Sequence, residues 1–150
     1  MALDILSKSG LHFHIGYGPF SFMRQECCNQ ILKGSAAIHE WASIGDTFLS
    51  GIEMKQDGEY NIPSGVSRKD FVTVCNVLLA HYFMSNGWKA FWELLVCHSD
   101  CDGNLTAKQC QRLIKDLDRI EPGPIWGDKF REFRELVREA AKRNETLKFG

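Results

Sequence analysis

Residues 97–110 read CHSDCDGNLTAKQC, the stretch of the chain that is densest in polar and metal-capable side chains. Apolar segments with helical periodicity lie on both sides of it, which predicts a helix–turn–helix connection. Asp100 and Asp102 are typical turn residues, because their short side chains bond to nearby main-chain amides. Thr106 and Gln109 have the spacing of a capping box at the start of a helix. The favoured interpretation is therefore a structural turn that begins a helix.

The same stretch is similar to the loop of a calcium-binding EF-hand, which needs oxygen ligands at fixed positions and a glycine at position 6. If His98 is position 1, then Asp100, Asp102 and Gly103 occupy positions 3, 5 and 6. Position 1 is then a nitrogen donor, and position 12 is Gln109 instead of a bidentate carboxylate. A degenerate cation-binding loop remains an alternative, and its metal ligands would be His98, Asp100 and Asp102.

A transition-metal or catalytic site is the third interpretation of this turn. The soft or nitrogen ligands in it are Cys97, His98, Cys101 and Cys110. Their spacing matches no standard zinc pattern. His12 and His14 would add nitrogen ligands only if their strand lay beside the turn, so two half-exposed histidines on an edge strand are the simpler interpretation. The sequence has no Gly-rich phosphate loop, nucleophile elbow or His-Glu-x-x-His motif.

Composition limits the class of protein. The chain has 150 residues, of which 44% are hydrophobic and 25% charged, which predicts one globular domain over residues 1–150. A net charge of −1 argues against nucleic-acid binding by bulk electrostatics, since phosphate affinity needs a concentrated basic surface. The six cysteines come without a signal peptide or an apolar run of membrane-spanning length. We therefore expect no membrane association, a cytoplasmic location and reduced thiols.

The periodicity of apolar residues predicts a mostly helical α+β fold of about five helices. Alternation over residues 11–17 predicts a short N-terminal strand, with His12 and His14 on one face, that Gly18-Pro19 breaks. Asp57-Gly58 indicates a small hairpin. The helices are predicted at residues 21–33 (with Ser21 as the cap), 67–86, 88–96, 107–120 and 127–143.

The helix at residues 67–86 is predicted to be the centre of the fold. Ser67 and Asp70 have capping-box spacing at its start, and Asn86-Gly87 ends it. Its apolar stripe is widened by Val72 and Val77 until it extends almost all round the helix. A helix of this kind is expected to be buried on most sides.

Several motifs of the chain resemble those of an uncharacterised family of small bacterial and phage proteins. The shared positions are Met1-Ala-Leu-Asp4, then His14, Tyr17, Phe20 and Arg24, the turn His98–Gly103, then Leu105, Thr106, Gln109 and Cys110, and the ending Leu147-Lys-Phe149. Residues 35–66 match no part of it. The resemblance implies a single domain and no particular activity. It marks His14, Arg24 and the central turn as residues to test together.

The favoured function is a non-enzymatic binding or interaction module of bacterial or phage type, either a protein inhibitor or a small-ligand binder. The candidate ligand- or partner-binding residues are His14, Tyr17, Arg24, His98, Asp100 and Asp102. We assign no catalytic residue and no cofactor beyond a divalent cation. The alternatives are the degenerate EF-hand-like protein and a metal-dependent or cysteine enzyme that uses the turn with His14 and Arg24. The partner, a protein or a small ligand, and the oligomeric state stay open.

Overall fold

The computed structural model describes residues 2–32, 67–99 and 102–150. Over these ranges the protein is mostly helical α+β, with five helices and a four-stranded antiparallel sheet. This confirms the fold class predicted from the sequence. The hairpin predicted at Asp57-Gly58 lies outside the described residues, as do Asp100 and Cys101 of the central turn.

The sheet brings together strands from both ends of the chain. Its strands are β1 (Ala2–Leu6), β2 (His12–Gly16), β3 (Asn104–Leu105) and β4 (Leu147–Phe149), in the order β2-β1-β4-β3. The strand predicted at residues 11–17 is β2, and the alternation of its faces is confirmed, since Phe13 and Ile15 are buried while His12 and His14 are exposed. Alternating side chains of β1 extend the same buried face.

Five helices complete the described fold. They are α1 (Tyr17–Leu32), α2 (Arg68–Ser85), α3 (Lys89–Phe91, continued by a π-helical turn at Trp92–Val96), α4 (Ala107–Leu117) and α5 (Gly127–Arg143). The prediction that Ser21 caps the first helix is wrong, because α1 begins at Tyr17, directly after β2. Pro19 lies in the first turn of α1, where a missing N–H costs no helical hydrogen bond. Ser67 does cap α2, with its hydroxyl accepting from the amide of Asp70 at 3.1 Å.

The core lies between one face of the sheet and helices α1 and α5. An edge-to-face chain of aromatic rings joins these elements: Phe13 meets Phe133 at 5.6 Å, Phe133 meets Phe20 at 6.1 Å, and Phe20 meets Phe149 at 6.5 Å between centroids. Such pairs stabilise the core beyond the area that they bury. The opposite face of the sheet is exposed, and this face positions the site discussed below.

Helix α2 buries one side of its wide apolar surface in the described part of the chain. Leu79 and Phe83 are fully buried, and the Phe83 ring stacks on Trp92 at 5.3 Å. Val77 is 62% exposed and Leu78 43% exposed, so among the described side chains of α2 the burial expected almost all round the helix does not extend to these two positions. None of the helices described is long and apolar enough to cross a membrane.

Candidate functional site

The second half of the central turn is a capped helix start, as predicted. The Thr106 hydroxyl accepts from the amide of Gln109 at 3.2 Å, and the Gln109 side chain accepts from the amide of Thr106 at 2.9 Å. This reciprocal pair satisfies two amide donors that a helix N-terminus leaves free. The side chain of Gln109 is therefore used in capping α4.

The turn also supplies the edge strand β3. Gly103 has a φ of +93°, a conformation that glycine adopts without strain, and its carbonyl accepts from the amide of Phe149 at 3.0 Å. Leu105 pairs with Leu147 across the β3–β4 ladder and is fully buried. The turn is thus attached to the sheet through its main chain.

His98 is engaged with the main chain of the same turn. Its Nδ1 lies 2.8 Å from the carbonyl oxygen of Ser99, and its Nε2 lies 3.2 Å from the carbonyl oxygen of Asn104. The ring packs on Phe149, with 4.1 Å between centroids. Because each nitrogen faces a carbonyl oxygen, His98 would have to give up one of these two contacts before it coordinated a cation through that nitrogen. Asp102 is exposed.

Arg24 is buried at the carboxyl end of α3. It is 3% exposed, and its Nη1 contacts the carbonyl oxygens of His98 at 3.0 Å, Leu95 at 3.3 Å and Val96 at 3.4 Å. Its guanidinium also lies 4.6 Å from the centre of the Phe20 ring. A cation at this point donates to carbonyls at the helix end, where amide donors are scarce, and opposes the negative end of the helix dipole. Arg24 therefore holds the end of α3, and with it the start of the central turn.

The structure brings Arg24 to His98 but places His14 elsewhere. His14 lies on the exposed face of β2, whereas the His98 ring packs on Phe149, a side chain of the buried face. Tyr17, the first residue of α1, is half-buried against the core. The residues marked for joint testing are thus split between the two faces of the sheet.

His14 belongs instead to a cluster with Asp4 and His12. Asp4 Oδ1 lies 2.8 Å from Nε2 of His12 and 2.8 Å from Nδ1 of His14. These hydrogen bonds, first that of His12 and then that of His14, lower the pKa of the Asp4 carboxyl. The strand β1 was not predicted from the sequence, although the alternation of Asp4 between Leu3 and Ile5 is the signal that could have indicated it; its pairing with β2 depends on the fold.

The register of β1 and β2 explains why the side chains of this cluster lie so close to one another. Asp4 exchanges both of its backbone hydrogen bonds with Gly150, at 3.0 Å each, on the β4 side. Asp4 and His14, which are directly opposite, therefore form a non-hydrogen-bonded pair, the type of antiparallel pair that brings side chains closest. His12 lies two residues before His14 and projects from the same face.

A groove runs between β2 and α5. It encloses about 330 Å³ and is lined by Leu11, His12, Phe13, Glu132, Glu135, Leu136 and Glu139. The strand β2 is at an edge of the sheet formed by the described strands. An apolar floor and a wall of carboxylates therefore lie beside a strand edge that no other strand of the described residues covers.

The described cysteines lack the features of a reactive nucleophile. Cys27 and Cys28 are buried, and burial raises the pKa of both thiols. Burial also raises the pKa of Cys110 to about 11, and it raises the pKa of Cys97 although that side chain is exposed. All four are therefore protonated thiols at neutral pH, a form that is a poor nucleophile.

Comparison of the chain with protein-family models, with curated proteins and with solved structures finds no match.

Proposed function

We propose that this chain is a non-enzymatic binding module of bacterial or phage type that binds an extended segment of a partner protein along the outer edge of β2. The observation that carries the proposal is the outward-pointing main chain of His12 and His14, which lies beside the groove at an edge that no other described strand covers. A peptide that adds to a sheet edge gains affinity from main-chain hydrogen bonds and specificity from the pockets beside it.

The direction of these main-chain groups follows from the hydrogen bonding of β1. Since Asp4 and His14 are a non-hydrogen-bonded pair, the N–H and C=O of His14 point away from β1, towards the outer edge. The Nζ of Lys129 lies 3.4 Å from the carbonyl oxygen of His14, which agrees with this direction. His12 lies two residues before His14 on the same strand, so its N–H and C=O point outward as well. An added strand can thus bond to the N–H and C=O of His12 and to the N–H of His14, and to the C=O of His14 once the Lys129 ammonium moves aside.

The groove indicates the chemistry of the partner segment. Leu11, Phe13 and Leu136 provide an apolar floor, and the carboxylates of Glu132, Glu135 and Glu139 line one wall. We infer that the segment alternates apolar side chains with lysine or arginine, because alternate residues of an added strand would face the groove.

The glutamates of this wall have exchangeable partners. Within α5, Glu132 pairs with Lys129 at 3.0 Å and Glu135 pairs with Arg138 at 2.5 Å. Glu139 pairs with Lys142 at 3.5 Å and with Arg143 at 3.4 Å. Exposed pairs of this kind contribute little to stability. Cations of an incoming segment can therefore replace them at small cost.

An enzyme built on the central turn has less support. Arg24 and His98 are bonded to main-chain carbonyls, and His14 lies on the other face of the sheet. The free thiols suit the reducing cytoplasm that we propose as the location of the chain.

The proposal is tested by NMR titration of the ¹⁵N-labelled protein, in the presence of a chelator, with an eight-residue peptide that alternates Val and Lys. We expect saturable shifts of the amides of β2 and of the groove side of α5. The double variant Glu135→Gln/Glu139→Gln should bind about two- to thirty-fold more weakly, since each exposed ion pair contributes about 0.2–1 kcal/mol.

Two controls make this test specific. The double variant Glu121→Gln/Asp128→Asn removes the same charge outside the groove and should bind like the wild type. A peptide that alternates Val and Glu should not bind. Equal binding of the two peptides, or shifts that avoid β2, would contradict the proposal.

A further inference from the structure

We infer that Asp4, His12 and His14 form a binding site for a divalent transition-metal ion on the exposed face of the sheet. This goes beyond the proposed function, because strand addition at the β2 edge uses main-chain groups and the groove and needs no metal. The two properties can therefore be present or absent independently of each other.

The distances in the cluster are close to those of a coordination sphere. The ligand atoms of Asp4, His12 and His14 all lie within 4.8 Å of one another, and the carboxylate oxygen is 2.8 Å from each ring nitrogen. Nitrogen and oxygen ligands bind zinc at about 2.0–2.2 Å, which in a tetrahedral site separates neighbouring ligand atoms by about 3.3–3.6 Å. Each ring nitrogen therefore has to move away from the carboxylate oxygen by about 0.5–0.8 Å, which is within the reach of small χ rotations.

The backbone beneath the cluster is firmly held. Five residue pairs join β1 and β2, from Ala2 opposite Gly16 to Leu6 opposite His12. The intervening side chains Ile5 and Phe13 are almost completely buried on the core side. A site on paired strands keeps its ligands in place better than a site on a loop, so little ordering is required when the ion binds.

The donor set selects the class of metal. Two imidazole nitrogens and one carboxylate oxygen suit Zn²⁺, Co²⁺, Ni²⁺ or Cu²⁺, whereas Ca²⁺ and Mg²⁺ prefer oxygen ligands alone. The side chains are 52% exposed at His12, 60% at His14 and 43% at Asp4. The three ligands therefore leave the solvent side of the ion open, where water or a donor from another molecule would complete its coordination.

Metal binding would change which ring nitrogens of His12 and His14 carry a proton. Each hydrogen bond to Asp4 requires a proton on the ring nitrogen that faces it, and that nitrogen must present a lone pair to a metal. In the neutral rings, the protons would move to Nδ1 of His12 and to Nε2 of His14. This tautomer change gives the inference a readout that is independent of affinity.

The test is a calorimetric titration of the untagged protein with Zn²⁺ and with Co²⁺, followed by ¹⁵N NMR of the histidine rings with Zn²⁺. We expect one ion per chain and the tautomer change at both rings. His14→Gln retains a hydrogen-bond donor for Asp4 but removes one metal ligand, and Asp4→Asn removes the anionic ligand. Each variant should weaken Zn²⁺ binding at least about tenfold, since even the outer-shell partners of a metal contribute tenfold or more.

His81→Gln is the matched control, because it removes an exposed histidine on α2 and should bind Zn²⁺ like the wild type. The inference is overturned if the wild type does not bind Zn²⁺ or Co²⁺, or if His14→Gln binds them equally well. It is also overturned if the ring resonances of His12 and His14 do not respond. Circular dichroism of each metal-free variant verifies folding. The peptide titration is done in the presence of a chelator, so its outcome does not depend on the result of the metal titration.

Discussion

Replacing Arg24 by methionine tests how the central turn is attached to the rest of the fold. Methionine is similar in length and apolar, so it fills much of the same space and leaves the carbonyls of Leu95, Val96 and His98 without the donor that they share in the wild type. We expect Arg24→Met to fold but to be clearly less stable. The end of α3 and the first residues of the central turn should loosen first.

The size of the effect follows from the contacts. Nη1 carries two hydrogens, so its three contacts of 3.0–3.4 Å amount to two good hydrogen bonds. Hydrogen bonds to a charged group contribute about 1.5–3 kcal/mol each. Part of this loss is offset because the methionine variant no longer buries a charge. We therefore expect a net loss of about 3 kcal/mol, or about 6–12 °C in Tm for a chain of this size.

Thermal unfolding followed by circular dichroism measures this loss. Arg131→Met is the control, because Arg131 is 57% exposed and pairs with the exposed Asp128, so its loss should cost less than about 1 kcal/mol. Arg24→Lys should lie between the two, since an ammonium keeps the charge but not the planar fork of donors. If Arg24→Met unfolds within about 2 °C of Arg131→Met, the proposed role of Arg24 is wrong.

Three further predictions concern the turn, the cluster and the thiols. Gln109→Ala removes half of the capping box and should lower the free energy of unfolding in urea by about 1 kcal/mol. Gln111→Ala, at an exposed position of the same helix, should change it by less than about 0.5 kcal/mol. Equal effects of the two variants would argue against the cap. The pKa of Asp4 is lowered in the folded state from 3.8, so its stabilising contribution is present above pH 3.8 and is lost as the pH falls through the lower, folded value. Asp4→Asn should therefore show a shallower loss of stability than the wild type in unfolding measured between pH 5 and 2, and parallel curves would refute this assignment. Brief alkylation with iodoacetamide at pH 8, resolved by mass spectrometry, should label the exposed Cys97 before the buried Cys27, Cys28 and Cys110, and equal labelling would contradict the burial described.

Local patterns predicted the features that depend on neighbouring residues. The Thr106–Gln109 capping box, the cap at Ser67 and the two faces of β2 all follow from side chains within a few positions of one another. The start of α1 was mispredicted because a local pattern there fits two different structures. Gly18-Pro19 is typical of a break after a strand, but proline is equally suited to the first turn of a helix, and α1 uses it there.

The candidate site was only partly predictable. His12 and His14 were expected on one face of a strand, but Asp4 was not connected with them, because that contact needs the antiparallel register of β1 and β2. His14, Arg24 and His98 were grouped by resemblance, and the fold places His14 on the opposite face of the sheet. The contact of Asp4 with the histidines and the position of His14 both depend on how the chain folds, which the identity of these residues alone does not determine.

The sequence by itself determined the α+β class, the helix caps and the alternation of β2. The tertiary structure alone decided that β4, at the end of the chain, lies between β1 and β3, and that Arg24 reaches carbonyls 71–74 residues away. The physical reason is the distance along the chain between the residues that interact. Caps and alternation are set by hydrogen bonds and burial among near neighbours, whereas strand order and the contacts of a buried cation are settled when distant segments share one core.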